Sequence, residues 1–424
     1  MAPSTVSKFQ NNYSLECTYC ALGKVRPGPF TPNAYKIARQ SDNKLLRLIH
    51  ESLDDKCPEW FTEAICSRKY LPTSKKLDAY HFRYCAEHRM TRTDTSPGSY
   101  FRNKWGYETK RDVLTSPKGY NNLMLFVHYA KLGRYTGKVV PQFTTATPKA
   151  YKCDGKEKIR TIYVPDMRFS MCEAIFAYPL IDYFVKHRPD FTPRTYCATH
   201  CRYTSKSYDF KKFDRTINHK LIEVIMRHLL SFIDMEYYAA DDLYEKRRRV
   251  KTAKTLKFLA EYVIYGLTHK KINGVFFRGL FPSGSMFTHL ATSVLNDTIM
   301  SIFDKNTLTY GDNGIMPNVN DRQARDISRM IYDYFGLEVE FNDSIDGHMR
   351  GLGKQYCLGL RTPYIPDQHL VNIIHLTNHD KREVAWCLSY LDLFEYQKRL
   401  LRRYGRPPKV WHTWHYDMAG VFIT

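Results

Sequence analysis

The chain lacks the features that mark membrane-spanning, secreted and disordered proteins. None of its apolar stretches reaches the ~18 residues that a helix needs to cross a bilayer. Its first residues contain no basic segment followed by an apolar run, so we expect no secretory signal. Hydrophobic residues make up 43% of it, which is too many for a disordered chain. Its eleven cysteines are an odd number spread over a large chain, which favours reduced thiols and an intracellular protein.

Acidic residues are also few relative to basic ones. The 424 residues include 43 Asp and Glu against 64 Lys and Arg, so the formal net charge is +21. On a packed protein this surplus predicts a polyanionic partner, with nucleic acid first and an anionic membrane surface second. Simple solubility is the remaining interpretation. Charge alone does not indicate what the protein does to a polyanion.

Hydrophobic periodicity in the middle of the chain predicts a mixed domain of helices and strands. We predict helices over about residues 218–233, 246–267, 286–303 and 322–335. Strands are predicted near 207–213 and 337–342, with a hairpin that starts at 308. Helices over an antiparallel sheet make an α+β core.

Two aspartates stand out because each lies at a predicted strand end or turn of a basic chain. They are Asp209 and Asp312, the latter within a Gly-Asp-Asn-Gly string. Phosphoryl transfer to a sugar hydroxyl uses two hard cations with oxygen ligands, and two aspartates on adjacent strands would supply such ligands. Each aspartate alone has a plainer interpretation as a turn or capping residue.

The segment between the two aspartates carries a second polar feature. Ser283 and Gly284 form a flexible loop in front of a predicted helix. Thr288, Thr292 and Asn296 then recur every four residues, so they share one face of that helix. Beside metal-binding carboxylates, such a stripe would suit contacts with a ribose and a template backbone. The alternative is an ordinary capped core helix.

Together these features resemble viral RNA-dependent RNA polymerases of the right-hand type, because four motifs of that family occur here in the family's order and spacing. The residues that match motifs F, A, B and C are, in that order, Lys156, Lys158 and Arg160; Asp209 and Asp214; Ser283, Gly284, Thr288 and Asn296; and Gly311, Asp312 and Asn313. The wording of motif B, Pro-Ser-Gly-Ser-x-Phe-Thr, most resembles the partitivirus and picobirnavirus group, which has double-stranded RNA genomes.

The resemblance implies a role for each matched residue. Asp209 and Asp312 would bind Mg²⁺ or Mn²⁺ together with Asn313, and Asp214 would contact the ribose 2′-hydroxyl of the incoming NTP. Lys354, which lies where the family often has a lysine, would protonate the departing pyrophosphate; the alternative is an ordinary surface lysine. The other nucleotide contacts would come from the basic and polar residues of motifs F and B: Lys156, Lys158, Arg160, Ser283, Gly284, Thr288 and Asn296.

Two positions depart from the family's pattern. Asn313 stands where most relatives have a second aspartate, and its neutral oxygen would hold the second ion less tightly, which is consistent with a preference for Mn²⁺. Thr292 lies where many relatives have asparagine, while this chain has Asn296 one turn later. That shift leaves the sugar-reading role of Asn296 open.

The motifs also divide the chain into the parts of a right hand. We expect an N-terminal extension and fingers over residues 1–150, fingers with motif F over 151–204, palm over 205–235, a fingers insertion over 236–280, palm over 281–362 and a small helical thumb over 363–424.

The implied function is template-directed RNA synthesis from NTPs, for viral genome replication and transcription. The implied partners are an RNA template, its product duplex, NTPs and a viral capsid protein, in the host cytoplasm or inside the virion or replication complex. A reverse transcriptase is one alternative, although Asp214 argues against it because that class generally has a bulky gate there. A non-catalytic RNA-binding relic of a polymerase is the other.

Cysteines near the N-terminus raise the possibility of a structural zinc site. Cys17 and Cys20 form a Cys-x2-Cys pair, and Cys85 and His88 form a Cys-x2-His pair, which together make four suitable ligands. The separation between the pairs is long for a compact zinc finger. The alternative ligands are Cys57, Cys66 and His81, and free thiols are the other interpretation.

Overall fold

The computed structural model describes most of the chain between residues 55 and 342. Side chains are described for residues 44, 46–48, 55–68, 70–71, 76–90, 93–145, 162–187, 205–239 and 249–342. Five further strands are described by their backbone: Val25–Arg26, Lys149–Cys153, Lys156–Arg160, His348–Gly351 and Lys354–Cys357. The predicted thumb, 363–424, and the cysteine pair Cys17 and Cys20 lie outside these residues.

A four-stranded antiparallel sheet, which we call the central sheet, carries both aspartates. Its strands are, in spatial order, Leu308–Tyr310, Asn313–Met316, Lys206–Phe210 and Val339–Asn342. Along Lys206–Phe210, Tyr208 and Phe210 are buried, whereas Asp209 between them is exposed. This alternation is the period of two that a strand imposes, so the same strand packs on the core and presents a carboxylate to solvent.

Helices alternate with the strands along the described part of the chain. They are Glu59–Ser67, Phe82–Tyr84, Ser99–Trp105, Lys110–Thr115, Pro117–Lys131, Met167–His187, Phe213–Thr216, His219–Ser231, Lys257–Thr268, Thr288–Met300 and Asp321–Phe335, with one π-helical turn at Cys85–Arg89. The observed mixture of helices and sheets confirms the α+β prediction. None of the described helices combines the length and apolar character that crossing a bilayer requires.

The last of these helices illustrates how local sequence sets the boundaries. Asn320 caps the helix Asp321–Phe335, since its side chain accepts a hydrogen bond from the N–H of Gln323, whose side chain bonds back to Asn320. Gly336, with φ +67°, ends the helix in the left-handed conformation. Between the caps, the buried residues recur at helical spacing, so one face packs on the core.

One predicted helix is wrong in its first part. Residues 246–248 lie outside the described residues, and the part that follows them is not helical: Val250–Lys251 is a short strand, and the helix begins at Lys257. The strand pairs with Tyr237 and Tyr238 of the strand Ile233–Tyr238. Pairing with a distant strand therefore overrides a local sequence that is compatible with a helix.

Candidate active site

The central sheet brings Asp209 and Asp312 to the same end of neighbouring strands. Asp209 is in register with Asn313, the residue that follows Asp312. The N–H of Phe210 donates a 2.8 Å hydrogen bond to the carbonyl of Asp312. Both aspartate side chains are exposed. One hard oxygen donor thus faces solvent from the end of a strand and the other from the turn that precedes the neighbouring strand.

The chain reverses direction sharply at the second aspartate. Gly311, with φ +60°, adopts a conformation that L side chains rarely take. Gly314 is needed for a different reason, because a Cβ there would lie 2.2 Å from the Tyr208 hydroxyl and 2.3 Å from the carbonyl oxygen of Leu308. The two glycines of the Gly-Asp-Asn-Gly string therefore serve backbone conformation and close packing, respectively.

The helix Thr288–Met300, which we call the motif B helix, holds this turn from beneath. The Nδ2 group of Asn296 donates to the carbonyls of Gly311, at 3.1 Å, and Asn313, at 3.0 Å. Its Oδ1 accepts a 2.9 Å hydrogen bond from the Tyr208 hydroxyl. Asn296 is 0% exposed, and so it joins the strands of motifs A and C to the motif B helix.

The same helix grips the turn at a second point. The hydroxyl of Ser293, which is also fully buried, accepts a 2.9 Å hydrogen bond from the N–H of Gly311. The sequence analysis missed Ser293 and Tyr208. Strand alternation around Asp209 indicates that Tyr208 is buried, but its partner lies 88 positions away.

The polar stripe on the motif B helix therefore faces inward along much of its length. The Thr292 hydroxyl donates to the Thr288 carbonyl of its own helix, at 2.7 Å. Asn296 is buried and both its donors are used, so its side chain contacts the turn and Tyr208 rather than solvent. Thr288 is half-buried at the start of the helix, where its hydroxyl donates to the carbonyl of Pro282, at 2.7 Å.

The loop of motif B is fastened to the strand Tyr163–Pro165. The Tyr163 N–H donates to the Ser283 hydroxyl at 3.2 Å, and the Gly284 N–H donates to the Tyr163 carbonyl at 3.0 Å. A Cβ on Gly284 would lie 2.5 Å from that carbonyl oxygen. The close approach explains why glycine occupies this position, which sequence reasoning attributed to flexibility.

A buried carboxyl group supports the same loop. The Ser285 hydroxyl donates to Oε1 of Glu173, on the helix Met167–His187, and the Met286 N–H also donates to this carboxyl group. Oε2 of Glu173 has no hydrogen-bond partner among the described residues. Desolvation raises the pKa of Glu173 to about 8, so the group is predominantly neutral at pH 7. Glu173 was not recognised from the sequence.

Asp214 lies at the start of the short helix Phe213–Thr216, directly after the motif A strand. Lys212, two residues before Asp214, has φ +51°, and the chain turns there. The carbonyl of Asp214 accepts a 2.6 Å hydrogen bond from the N–H of Phe281. Asp214 is half-buried and is thereby linked to the segment that leads into the motif B loop.

Comparison with known families agrees with this geometry. The model of the family described as viral RNA-dependent RNA polymerase matches residues 51–348, which is more than half of the chain. The chain belongs to the viral RNA-dependent RNA polymerases. It is therefore an RNA-directed RNA polymerase by family. No curated protein sequence matches it.

Solved polymerase structures share the fold. The RNA-dependent RNA polymerase of a human picobirnavirus is 12% identical, with a TM-score of 0.54 over 95% of this chain and 81% of that one. The sicinivirus 3Dpol polymerase is 10% identical, with a TM-score of 0.56 over 89% of each chain. At these identities the likeness concerns the fold, which is that of a right-hand polymerase. At that level the picobirnavirus structure agrees with the double-stranded-RNA group that motif B resembles.

Other predicted site residues of this polymerase lie on strands described by their backbone. Lys156, Lys158 and Arg160 occupy alternate positions of the strand Lys156–Arg160, which pairs with Lys149–Cys153. Lys354 begins the strand Lys354–Cys357 and is in register with Gly351. Their nucleotide contacts stay predictions.

The donor set of the polymerase fits a hard divalent cation. Viral RNA-dependent RNA polymerases use divalent metal ions, and Asp209, Asp312 and Asn313 offer oxygen atoms at one end of the central sheet. Mg²⁺ usually takes only one or two protein carboxylates, with phosphates and water completing its shell. Within the described part of the chain, no group of three or more His, Cys, Asp or Glu side chains is arranged to hold a metal.

The described half of the predicted zinc site is split between core and surface. Cys85 is fully buried, whereas His88 is exposed in the same π-helical turn. The alternative ligands Cys57 and Cys66 are free thiols. Because Cys17 and Cys20 lie outside the described residues, the zinc site stays a prediction.

Proposed function

We propose that this polymerase extends RNA from NTPs on an RNA template by two-metal nucleotidyl transfer, for viral genome replication and transcription. The observation that carries the proposal is the position of Asp209 on one strand and of Asp312 in the turn that precedes the neighbouring strand, with both residues exposed. In a chain of net charge +21, exposed carboxylates in such proximity favour cation binding.

Asp209 and Asp312, assisted by the amide oxygen of Asn313, would hold Mg²⁺ or Mn²⁺. Bound there, the ions would supply positive charge to the phosphates and acidify the attacking 3′-hydroxyl. Asp214 would accept a hydrogen bond from the ribose 2′-hydroxyl and so favour NTPs over dNTPs. Lys354 would donate a proton to the pyrophosphate leaving group.

The remaining contacts would orient the nucleotide. The basic residues Lys156, Lys158 and Arg160 would pair with the triphosphate, since guanidinium and ammonium groups bind phosphate oxygens. Ser283 and Gly284 would adapt to the template and the new base pair, and Thr288 would support the sugar side. Asn296 would act by keeping the turn of Asp312 in register with the strand of Asp209.

We further propose the right-hand division with the boundaries predicted above. The central sheet supports it, because its strands come from both predicted palm segments, 205–235 and 281–362. The RNA template, the product duplex and NTPs would occupy the hand. A capsid protein as partner, and action in the host cytoplasm or within the virion, are part of the same proposal.

Incorporation of labelled NTPs on an RNA template tests the function directly. The assay compares wild type with Asp312→Ala, in Mg²⁺ and in Mn²⁺, with and without a primer, after thermal unfolding has shown that both proteins are folded. We expect incorporation by wild type and a large loss in the variant. If wild type and Asp312→Ala give equal signals in Mg²⁺ and also in Mn²⁺, the result would support the non-catalytic alternative. A preference of the wild type for dNTPs would support a reverse transcriptase.

A further inference from the structure

A fully buried lysine lies behind the predicted sugar-reading side of the site. Lys270, on the strand His269–Ile272, is 0% exposed. Its ammonium donates to three backbone carbonyls: Leu267 at 2.5 Å, Gly279 at 2.6 Å and Leu280 at 2.7 Å. A lysine has three donors, so all of them are used. Desolvation lowers the pKa of Lys270, whereas hydrogen bonds to three carbonyls favour its charged form.

Two of these carbonyls belong to a strained stretch of backbone. Gly279 has φ +82° and Leu280 has φ +61°. The left-handed conformation is unfavourable for leucine, at a cost on the order of 1 kcal/mol or more, and it persists only where surrounding contacts enforce it. Leu280 is almost fully buried, and the hydrogen bonds from Lys270 are among the contacts that enforce this conformation.

The strained stretch is in turn bonded to the region of Asp214. The Leu280 N–H donates to the carbonyl of Ile217 at 2.8 Å, and the Phe281 N–H donates to the carbonyl of Asp214 at 2.6 Å. Residues 279 and 280 thus accept hydrogen bonds from Lys270, and residues 280 and 281 donate hydrogen bonds to the region of Asp214. The same segment leads directly into the motif B loop.

We propose that Lys270 is a positioning residue for Asp214, which it holds in place through the backbone of residues 279–281. The inference rests on the proposed role of Asp214 as reader of the ribose 2′-hydroxyl. A simpler role for Lys270 is to cap the carboxyl end of the helix Lys257–Thr268, where a cation is favoured. The bond to Leu267 serves that role, but the bonds to Gly279 and Leu280 do not.

The test measures selectivity, defined as kcat/KM for an NTP divided by kcat/KM for the matching dNTP. Lys270→Met removes the three donors and retains an unbranched side chain. Lys271→Met is the matched control, since it makes the same change at the next residue of the strand, which is only half-buried. A displacement of the order of 1 Å costs up to about 100-fold in rate. We therefore expect selectivity to fall about tenfold in Lys270→Met and to stay unchanged in Lys271→Met.

Asp214→Asn separates the inference from the proposal beneath it. If this variant keeps wild-type selectivity, the sugar-reading role of Asp214 is wrong. If it loses selectivity while Lys270→Met loses only activity in proportion to its unfolded fraction, then Lys270 is merely structural and the inference is overturned. In the double variant, Lys270→Met should reduce selectivity no further than Asp214→Asn alone.

Gly279→Ala keeps the inference testable if Lys270→Met does not fold. The new methyl group would lie 3.1 Å from the backbone nitrogen of His219 and 3.2 Å from the carbonyl oxygen of Ile217. It would therefore displace the segment and leave Lys270 intact. Reduced selectivity in this variant would support the inference. Wild-type selectivity in Gly279→Ala would overturn it.

Discussion

Replacing Asn296 with alanine tests whether the buried amide acts on the turn or on the nucleotide. The change removes the partner of the Tyr208 hydroxyl and both side-chain bonds to the turn, at the carbonyls of Gly311 and Asn313. A buried polar group left without a partner costs about 1–3 kcal/mol. The two carbonyls belong to the turn between two strands of the central sheet, so the loss of their hydrogen bonds adds to this cost. We therefore expect a total loss of roughly 2–4 kcal/mol in the free energy of unfolding.

The same change should reduce catalysis by more than it reduces the folded fraction. Asp312 lies between the two residues whose carbonyls Asn296 holds, so loss of the clamp frees the turn relative to the strand of Asp209. Misplacement by about 1 Å can cost about 100-fold in rate. We expect kcat to fall by that order, the Mg²⁺ requirement to rise, and KM for NTP to change little.

Thr292→Val is the matched control for this prediction. Thr292 lies on the same face of the helix one turn earlier, and its hydroxyl bonds to carbonyls of its own helix, at 2.7 and 3.2 Å. Its replacement should cost less than about 1 kcal/mol. Urea unfolding gives the free energy of unfolding, and NTP incorporation over a range of Mg²⁺ concentrations gives kcat, KM for NTP and the Mg²⁺ requirement. The reasoning is refuted if Asn296→Ala is as stable as Thr292→Val and raises KM for NTP instead.

Three further changes test the loop, the metal ligands and the buried carboxyl group. Gly284→Ala should reduce incorporation at least tenfold with a smaller effect on melting temperature, because the methyl group would meet the Tyr163 carbonyl at 2.5 Å; full activity would contradict the close approach. Asn313→Asp should lower the Mg²⁺ concentration for half-maximal activity, since it adds a charged ligand, and an unchanged titration would argue against metal contact at Asn313. Burial raises the pKa of Glu173 from 4.5 to about 8, so between these pH values the unfolded chain loses this proton while the folded protein keeps it. The free energy of unfolding therefore falls as pH rises, by at most roughly 1.4 kcal/mol per pH unit. Glu173→Gln should lose this dependence, and unfolding free energies that run parallel to wild type across that window would contradict the assignment.

The sequence predicted the parts of the site that local pattern controls. The period-two alternation around Asp209 and the glycines around Asp312 predict a strand and a tight turn, and both are present. The helix predicted over residues 218–233 is observed at His219–Ser231, because an uninterrupted apolar periodicity and the capping residue Asn218 agree. Motif order then indicated which strands meet.

The polar interior was beyond sequence reasoning because its contacts connect distant positions. A period of four shows that Thr288, Thr292 and Asn296 share a helix face, but it does not reveal whether that face looks toward substrate or core. Glu173 and Ser285 are 112 positions apart, and neither stands out by composition. Such pairs are defined only when packing brings two elements together.

Uncharged groups hold the turn of Asp312, and the electrostatics of a cation site give a reason for it. At the proposed metal site, a lysine or arginine in the place of Asn296 would compete with metal ions for the carboxylates of Asp209 and Asp312, and an added carboxylate would raise the local negative charge. An amide with two hydroxyl groups supplies donors and acceptors without net charge. The hydroxyls of Tyr208 and Ser293 complete this neutral support. At the proposed metal site, uncharged groups would thereby fix the geometry of the two carboxylates and leave their charge available to ions and phosphates.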